Sequence, residues 1–252
     1  MNLFLPNNIF SNLLVKSLPE DKNLKKNYFP AAVLTFELSK DKSSVALVPS
    51  FDLLKNKDLY VSSKFGLSFE GNLSNSYFYF KNEADIKKLS ITGDVSSTEV
   101  LLSKIIFKEE YEIDVNVEIS QKDKKNDLNS LIIGNGNFVD YKMKDGFSLS
   151  EKLSDFIEFQ YPFVNYVLVS FEEENLKYFN DKAEQTQNKI YDLVEKDEVI
   201  NSFNNESKNF IKENISSLIV NLESQDREGL LEILKLPYYH GIIKYIVDVK
   251  FI

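Results

Sequence analysis

Hydroxyl-bearing residues follow two apolar segments where a strand would end and a helix begin. Ser50 follows Val45–Val48, and Ser96, Ser97 and Thr98 follow a similar segment later in the chain. The free backbone N–H groups of a helix N-terminus attract anions, and neighbouring hydroxyl groups add further donors. This pattern predicts a binding site for a small anionic ligand such as a carboxylate. Helix capping is the competing interpretation at each position.

Asparagine and glycine mark two further candidate positions for ligand binding. Asn7 and Asn8 follow the first predicted strand, where either side chain could bind a ligand or cap the next helix. Gly134 and Asn135 follow another apolar strand in the motif Gly-Asn-Gly-Asn. This motif predicts a tight turn, with close approach of a ligand to the backbone as the alternative.

The sequence assigns no general base, and it offers only candidates for catalysis. Asn8 and Asp52 lie nearest the predicted site, and Glu70 is a further carboxylate in the same part of the chain. A carboxylate could act as a general base that removes a proton, but a solvated surface role is the alternative for Asp52 and Glu70. His240 lies at a predicted helix end, where a structural role is favoured. No residues have metal-ligand spacing and no phosphate loop is present, so we expect neither a metal nor a cofactor.

Composition restricts the class of protein. The chain has 252 residues, 43% of them hydrophobic, and a formal net charge of −9. This charge disfavours nucleic-acid binding, and the absence of cysteine excludes disulfides and thiolate chemistry. No apolar run is long enough for a membrane helix, and the N-terminus does not resemble a signal peptide. We therefore expect a cytoplasmic protein that does not enter membranes; its oligomeric state is left open.

Strand and helix patterns alternate along the first two thirds of the chain and predict an α/β fold. Residues 21–26 and 121–127 are predicted to be charged loops and residues 154–159 a helix, and a helical, polar tail follows residue 171. Two long apolar strands, Ser76–Lys81 and Phe163–Phe171, are interpreted as crossings between two lobes. The first lobe would comprise residues 1–81 and 171–252, and the inserted second lobe residues 82–170. Such a molecule could close around a ligand by a hinge movement.

The order of several motifs resembles the chorismate dehydratases of the futalosine pathway of menaquinone biosynthesis. The segments concerned are S-V-A-L-V-P-S-F-D at 44–52, V-S-S at 61–63, I-I-G-N at 132–135 and Y-P-F-V at 161–164. The resemblance covers about Leu3 to Ser170. It implies a two-lobed periplasmic-binding-protein-like (type II) fold with mixed sheets and a helical C-terminal segment. It also implies a carbon–oxygen lyase that removes water from chorismate to give an enolpyruvyl-benzoate, with the carboxylates of chorismate bound between the lobes.

Three departures from this pattern lie near the expected cleft. Asn135 stands where the dehydratases carry aspartate, and Lys64-Phe65-Gly66 replaces a glycine-proline turn. The opening turn, L-P-N-N-I-F, is closer to that of the related dihydroxynaphthoate synthases. Two alternatives therefore stay open beside the dehydratase: a non-catalytic small-anion-binding protein of the same fold, such as a solute receptor or sensor, and the dihydroxynaphthoate synthase.

Overall fold

The fold contains two β-sheets, each covered by helices. The structure is a computed structural model, and it describes residues 1–80, 86–120, 129–156 and 160–252. We refer to each sheet with its covering helices as a lobe.

The first sheet has seven strands and mixed pairing. In chain order these are β1 (Asn2–Pro6), β2 (Lys25–Phe29), β3 (Val45–Pro49), β4 (Tyr60–Phe69), β10 (Phe163–Ser170), β11 (Leu218–Asn221) and β12 (Lys250–Phe251). The spatial order is β11-β4-β10-β3-β1-β2, with β12 added beside β4. Strands β1, β2 and β3 are parallel, whereas β10 runs antiparallel to both β3 and β4.

The second sheet has five strands, drawn from the middle of the chain. They are β5 (Ser76–Tyr79), β6 (Lys88–Gly93), β7 (Asn116–Ile119), β8 (Asn129–Ile133) and β9 (Phe147–Ser148), in the spatial order β7-β6-β8-β5-β9. Strand β6 is parallel to β7 and β8, and β5 is antiparallel to β8 and β9.

The two sheets share one construction. Each has three parallel strands, and next to them an antiparallel strand that has just arrived from the other lobe. Strand β5 fills this place in the second sheet and β10 in the first. The carboxyl ends of the parallel strands face the same crevice, which is where open α/β sheets bind ligands.

Eight α-helices lie in the described ranges, joined by short 3₁₀ turns such as Ala31–Val33, Ser50–Leu54 and Asn135–Asn137. The helices are α1 (Ile9–Ser17), α2 (Leu34–Lys40), α3 (Ser97–Tyr111), α4 (Leu149–Phe156), α5 (Glu173–Asn180), α6 (Ala183–Glu195), α7 (Asn205–Asn214) and α8 (Ser224–Tyr239). None of these described helices has both the length and the hydrophobicity to cross a bilayer.

Local sequence explains the elements nearest the crevice. Strands β3 and β10 are continuous apolar runs whose residues are buried along their whole length, as expected for strands covered on both faces. Helix α1 begins after Asn8, whose side chain accepts a hydrogen bond from the Ser11 N–H group at 2.9 Å. Helix α3 begins after Ser96, which forms a capping box with Glu99. Both predicted caps are confirmed.

Three strands form where the sequence predicted a loop or helices. Residues 21–26 were predicted to be a charged loop, yet β2 begins at Lys25 and forms an exposed sheet edge. The tail after residue 171 was predicted to be helical throughout, yet β11 and β12 pair with β4. These predictions were wrong because an edge strand can be held by backbone hydrogen bonds to its neighbour, even when its own sequence has no apolar pattern.

The division into lobes at residues 81 and 171 stays a prediction. Strand β10, assigned by it to the second lobe, pairs within the first sheet, and β5, assigned to the first lobe, pairs within the second. Lys81, the predicted loop 121–127 and the end of the helix predicted over 154–159 lie outside the described residues.

Candidate functional site

Three backbone N–H groups of the first lobe donate hydrogen bonds to side-chain oxygens of the second lobe. Each donor lies at the start of a helix or 3₁₀ turn: Ile9 and Ala31 are first residues, and Phe51 is the second residue of Ser50–Leu54. The three bonds are Ile9 N to Asn135 Oδ1 at 2.8 Å, Ala31 N to Asp94 Oδ1 at 2.7 Å and Phe51 N to Thr98 Oγ1 at 3.1 Å. We call this set the interlobe clamp.

The clamp occupies donors that an anionic ligand would use. Unpaired N–H groups at helix starts favour negatively charged or polar oxygens. Here the oxygens come from the chain itself: an amide, a carboxylate and a hydroxyl group. The two lobes are therefore joined by direct hydrogen bonds across the crevice.

A cavity of about 460 Å³ lies beside the clamp. It is lined by residues that follow or end strands β1, β2 and β6: Asn7, Tyr28, Phe29, Pro30, Gly93 and Asp94. This position is the crevice at the carboxyl ends of parallel strands in both lobes. The volume is in the range of pockets that enclose small organic molecules.

Four buried side chains next to this crevice have polar atoms without a hydrogen-bond partner among the described residues. They are Asn8 (Nδ2), Asn75 (both polar atoms), Asn165 (Oδ1) and Tyr166 (the hydroxyl group), all at most 1% exposed. Asn75 precedes β5, while Asn165 and Tyr166 lie on β10 at a bulge in its pairing with β4. Unpaired buried polar atoms are rare and costly, so their concentration here indicates a place for a polar ligand or bound water.

Contacts link these side chains to one another. The Gly134 N–H group donates to Asn75 O at 2.7 Å, and the Cβ atom that Gly134 lacks would lie 4.0 Å from Asn8 Cβ. Asn165 Nδ2 donates to Glu99 Oε1 at 3.1 Å. Glu99 is fully buried, and its other oxygen accepts from the Ser96 N–H group at 3.1 Å. Strand β10 and the start of α3 are therefore joined by polar contacts, and the turn at Gly134 lies beside Asn75 and Asn8.

Acidic side chains give this region a negative electrostatic potential. Burial, and then the charges of Glu99, Asp94 and Asp52, raise the pKa of Tyr166 well above its usual value. The Asn75 side chain lowers it: this amide lies close to the phenol, although the pair does not reach hydrogen-bond geometry. Burial also raises the pKa of Asp94; the Ala31 N–H group opposes this and Glu99 adds to it. The second carboxylate oxygen of Asp94 is buried with no partner among the described atoms. The site thus concentrates acidic groups around a buried, protonated phenol.

Asp52 has the second perturbed carboxylate at the lobe boundary. Its oxygens accept from Ser97 Oγ at 3.2 Å and from Thr35 Oγ1 at 3.1 Å. Burial is the main reason that the pKa of Asp52 is raised to about 6, with Glu99 adding to it and the two hydroxyl groups and Lys55 opposing it. A carboxylate with this pKa can exchange a proton near neutral pH.

The predicted ligand-binding residues converge on the lobe boundary but have different roles there. Asn7 lines the cavity, whereas the Ser50 hydroxyl group is turned into the first lobe and donates to Val164 O at 2.6 Å. Ser97 contacts Asp52, as described above. Gly134 has a φ of +81°, consistent with the predicted turn. Whether these residues bind a ligand stays a prediction.

The remaining candidates lie away from the clamp. Glu70 is exposed and lines a different cavity of about 390 Å³, near the start of β10. His240 ends α8, as predicted, and its Nε2 atom lies 3.1 Å from a carboxylate oxygen of Glu109.

The sequence did not single out Asp94, Asn75, Asn165 or Tyr166. Asp94 could have been noticed, because it directly follows the strand that leads to the Ser96–Thr98 segment. The other three gave no such signal: Asn75 lies in a polar loop, and Asn165 and Tyr166 lie inside an apolar strand. Only the meeting of two distant crossing segments brings them together.

Solved structures resemble the whole chain in fold. Protein AF1704 from Archaeoglobus fulgidus aligns with a TM-score of 0.70 at 12% identity, covering 96% of this chain and 98% of that protein. An ABC transporter protein from Parabacteroides distasonis gives a TM-score of 0.67 at 11% identity, covering 100% and 98%. The aliphatic sulphonate binding protein SsuA from Escherichia coli gives 0.58 at 12% identity, covering 99% and 95%.

These similarities define the fold class. The chain has the two-lobed, periplasmic-binding-protein-like α/β fold with mixed sheets, as the sequence predicted. No protein-family model matches the sequence, and no curated protein matches it. Because the sequence identity is so low, the similarity to these solved structures establishes the fold alone.

Proposed function

We propose that this protein binds a small polar molecule between its two lobes. The observation that carries the proposal is the cavity of about 460 Å³ at the carboxyl ends of strands from both lobes, next to four buried side chains with unpaired polar atoms. A bound molecule would supply the missing hydrogen-bond partners, and opening of the clamp would admit it. Binding proteins of the same fold, such as SsuA, support this function by analogy.

A cavity-blocking variant tests this proposal. The exposed side chain of Asn7 lines the cavity, so Asn7→Trp is expected to fill it, whereas the exposed Asn72→Trp adds the same ring elsewhere. A panel of small cationic, neutral and anionic metabolites would be screened by thermal shift and native mass spectrometry. We expect compounds that stabilise the unmodified protein and Asn72→Trp to lose their effect on Asn7→Trp. Equal binding to both variants, or no binding by any compound, would contradict the proposal.

A second candidate function is the dehydration of chorismate, and the state of Asp52 favours it. A base must remove a ring proton while hydroxide leaves and the ring becomes aromatic; a carboxylate with a pKa of about 6 suits the first step. A carboxylate-bearing substrate would have to displace the oxygens of Asp94, Thr98 and Asn135 from the N–H groups that they now occupy. Under this candidate we expect a cytoplasmic enzyme of menaquinone biosynthesis.

Absorbance of the enolpyruvyl-benzoate product tests the dehydratase directly. The protein would be incubated with chorismate alongside Asp52→Asn and the exposed control Asp58→Asn. The candidate predicts product with the unmodified chain and Asp58→Asn and a loss of at least about tenfold in rate with Asp52→Asn. Absence of product at high protein concentration removes this candidate while leaving the binding function standing.

A further inference from the structure

The interlobe site has several negative charges, and no positively charged residue lines its cavity. Asp94 lines the cavity, and Glu99 and Asp52 are close enough to raise the pKa of the buried Tyr166 phenol together with it. No lysine or arginine is among the residues that line this cavity. In the described part of the chain, none of the ion pairs involves Asp94, Glu99 or Asp52. A buried carboxylate without a positive partner is costly.

The backbone N–H groups suited to an anion are already occupied. The N–H groups of Ile9, Ala31 and Phe51 hold oxygens of the second lobe. The polar atoms left over include neutral donors, such as Asn8 Nδ2, and two acceptors, Asp94 Oδ2 and Asn165 Oδ1, that have no donor among the described residues. Of these atoms only the Asp94 oxygen belongs to a carboxylate, and no positively charged donor on the cavity wall pairs with it.

A metal ion is not expected to supply the missing positive charge. The described residues contain no group of three or more histidine, cysteine, aspartate or glutamate side chains arranged to hold a metal. The cavity is instead large enough for an organic molecule, and the aromatic residues Tyr28 and Phe29 are among those that line it. Aromatic rings next to a carboxylate are a favourable environment for an organic cation, because the ring faces attract positive charge.

We infer that the ligand of this site carries a positively charged nitrogen, with Asp94 as its counter-ion and Tyr28 and Phe29 beside it. This inference rests on the proposed binding function and specifies its ligand class as small organic ammonium compounds. The ammonium group would pair with the Asp94 carboxylate while the Ala31 N–H group holds that carboxylate in place. Neutral parts of the ligand would complete the hydrogen bonds of Asn165 and Asn8, whose free atoms are an acceptor and a donor.

Isosteric compounds of different charge test the ligand class. Benzylamine, benzyl alcohol and benzoate have the same ring and nearly the same size; putrescine and choline add aliphatic cations. Calorimetry should show binding by one or more of the cations, with the neutral and anionic isosteres weaker by about tenfold or more, as expected for a charge-assisted contact.

Asp94→Asn is the decisive variant. Its amide oxygen can still accept from the Ala31 N–H group, so the fold should be kept while the charge is lost. We expect the variant to bind the cation about tenfold more weakly and the neutral isostere unchanged. Glu174→Gln is the control, because it removes the same charge from a side chain that is 80% exposed. Melting temperatures of both variants would show that they are folded.

The outcomes separate this inference from the proposed function. Tighter binding of benzoate than of benzylamine, or undiminished cation binding by Asp94→Asn, overturns the ligand class but leaves a small-molecule site. Failure of every compound to bind counts against both. Weaker cation binding by Asp94→Asn, with Glu174→Gln unaffected, supports the inference.

Discussion

At the scale of single residues, the lobe boundary contains carboxylates whose burial and hydrogen bonding differ from those of surface carboxylates. Glu99 is fully buried yet has both oxygens bonded, one to the cap of its own helix and one to Asn165. Asp52, by contrast, accepts only hydroxyl contacts on its carboxylate, and burial dominates its pKa. The two neighbouring carboxylates thus differ in their hydrogen-bond donors: Glu99 has backbone and amide N–H groups, whereas Asp52 has hydroxyl groups.

Replacement of Asp52 by asparagine should stabilise the protein in a pH-dependent way. The pKa of Asp52 is about 6 in the folded state against 3.8 as the reference value, so the folded chain holds this proton more tightly than the unfolded chain. Its charge therefore lowers stability above about pH 6, and this cost disappears as the pH falls below about 4. We expect Asp52→Asn to raise the free energy of unfolding by about 1–3 kcal/mol at pH 8.

Urea denaturation of both proteins between pH 4 and pH 8 checks this. The gain in stability should shrink towards the acid end. The exposed Asp58→Asn should show no comparable pH-dependent gain. A loss of stability in Asp52→Asn at pH 8 would mean that the Thr35 and Ser97 contacts outweigh the burial cost.

At the scale of elements, close packing fixes the crossing strand β10 against α8. The Cβ atom of an alanine at Gly229 would lie 2.5 Å from Pro162 O and 3.0 Å from Tyr161 Cβ, just before β10 begins. The obstacle is backbone, which cannot rotate away as a side chain would. Glycine at this position therefore lets the helix approach the chain segment that returns from the second lobe.

Gly229→Ala should be destabilising despite the better helix propensity of alanine. We expect the free energy of unfolding to fall by about 1–3 kcal/mol, because overpacking outweighs a propensity gain of at most about 1 kcal/mol. The adjacent, exposed Glu228→Ala is the control and should change stability by less than about 0.5 kcal/mol. Equal stability of Gly229→Ala and the unmodified chain would show that α8 can shift away from Pro162.

Elements could be predicted where their own residues carry the signal. The buried run of β3 and the Ser96–Glu99 capping box identify a strand and a helix start without any partner. Strands β2 and β11 could not be predicted in this way. The first exposes most of its side chains at a sheet edge, and the second has four residues within a polar tail and pairs with β4, about 150 residues earlier. Their formation depends on tertiary pairing.

The same limit applies to the candidate site. Hydroxyl and amide residues after strands could be predicted to gather at the boundary, because each lies next to a recognisable element. The hydrogen bonds that these residues make could not be predicted, because Thr98 and Asn135 bind the opposite lobe. The buried polar groups of Asn165 and Tyr166 could not be predicted either, because they lie on a strand whose sequence is otherwise apolar. A contact between lobes depends on how both have folded.

At the scale of the whole molecule, closure balances two kinds of contact. The clamp satisfies three N–H groups of the first lobe with oxygens of the second, but the same closure leaves polar atoms of Asn8, Asn165 and Asp94 without partners among the described residues. The three clamp hydrogen bonds favour the closed state, whereas the polar atoms left without partners oppose it. The closed state without ligand should therefore be only slightly favoured, and a small loss from the clamp should open it.

Removal of two clamp acceptors should shift the molecule towards an open state. Thr98→Val and Asn135→Ala together delete the acceptors for Phe51 and Ile9, at about 1 kcal/mol each, enough to change a two-state equilibrium about tenfold or more. The chain has no cysteine, so spin labels can be placed at Ser39→Cys in α2 and Lys104→Cys in α3, both exposed positions on different lobes. Pulsed electron paramagnetic resonance then measures the distance between the lobes.

We expect the doubly substituted protein to gain a population at a second label-to-label distance that the unmodified clamp keeps minor. The control is Asn214→Ala, which removes a side-chain amide that bonds within its own helix, to Phe210 O, and should leave the distance distribution unchanged. An unaltered distribution in the clamp variant would mean that apolar packing, rather than the three hydrogen bonds, holds the lobes together. In that case the chain oxygens at the helix starts would be a consequence of closure, and a ligand could displace them without moving the lobes.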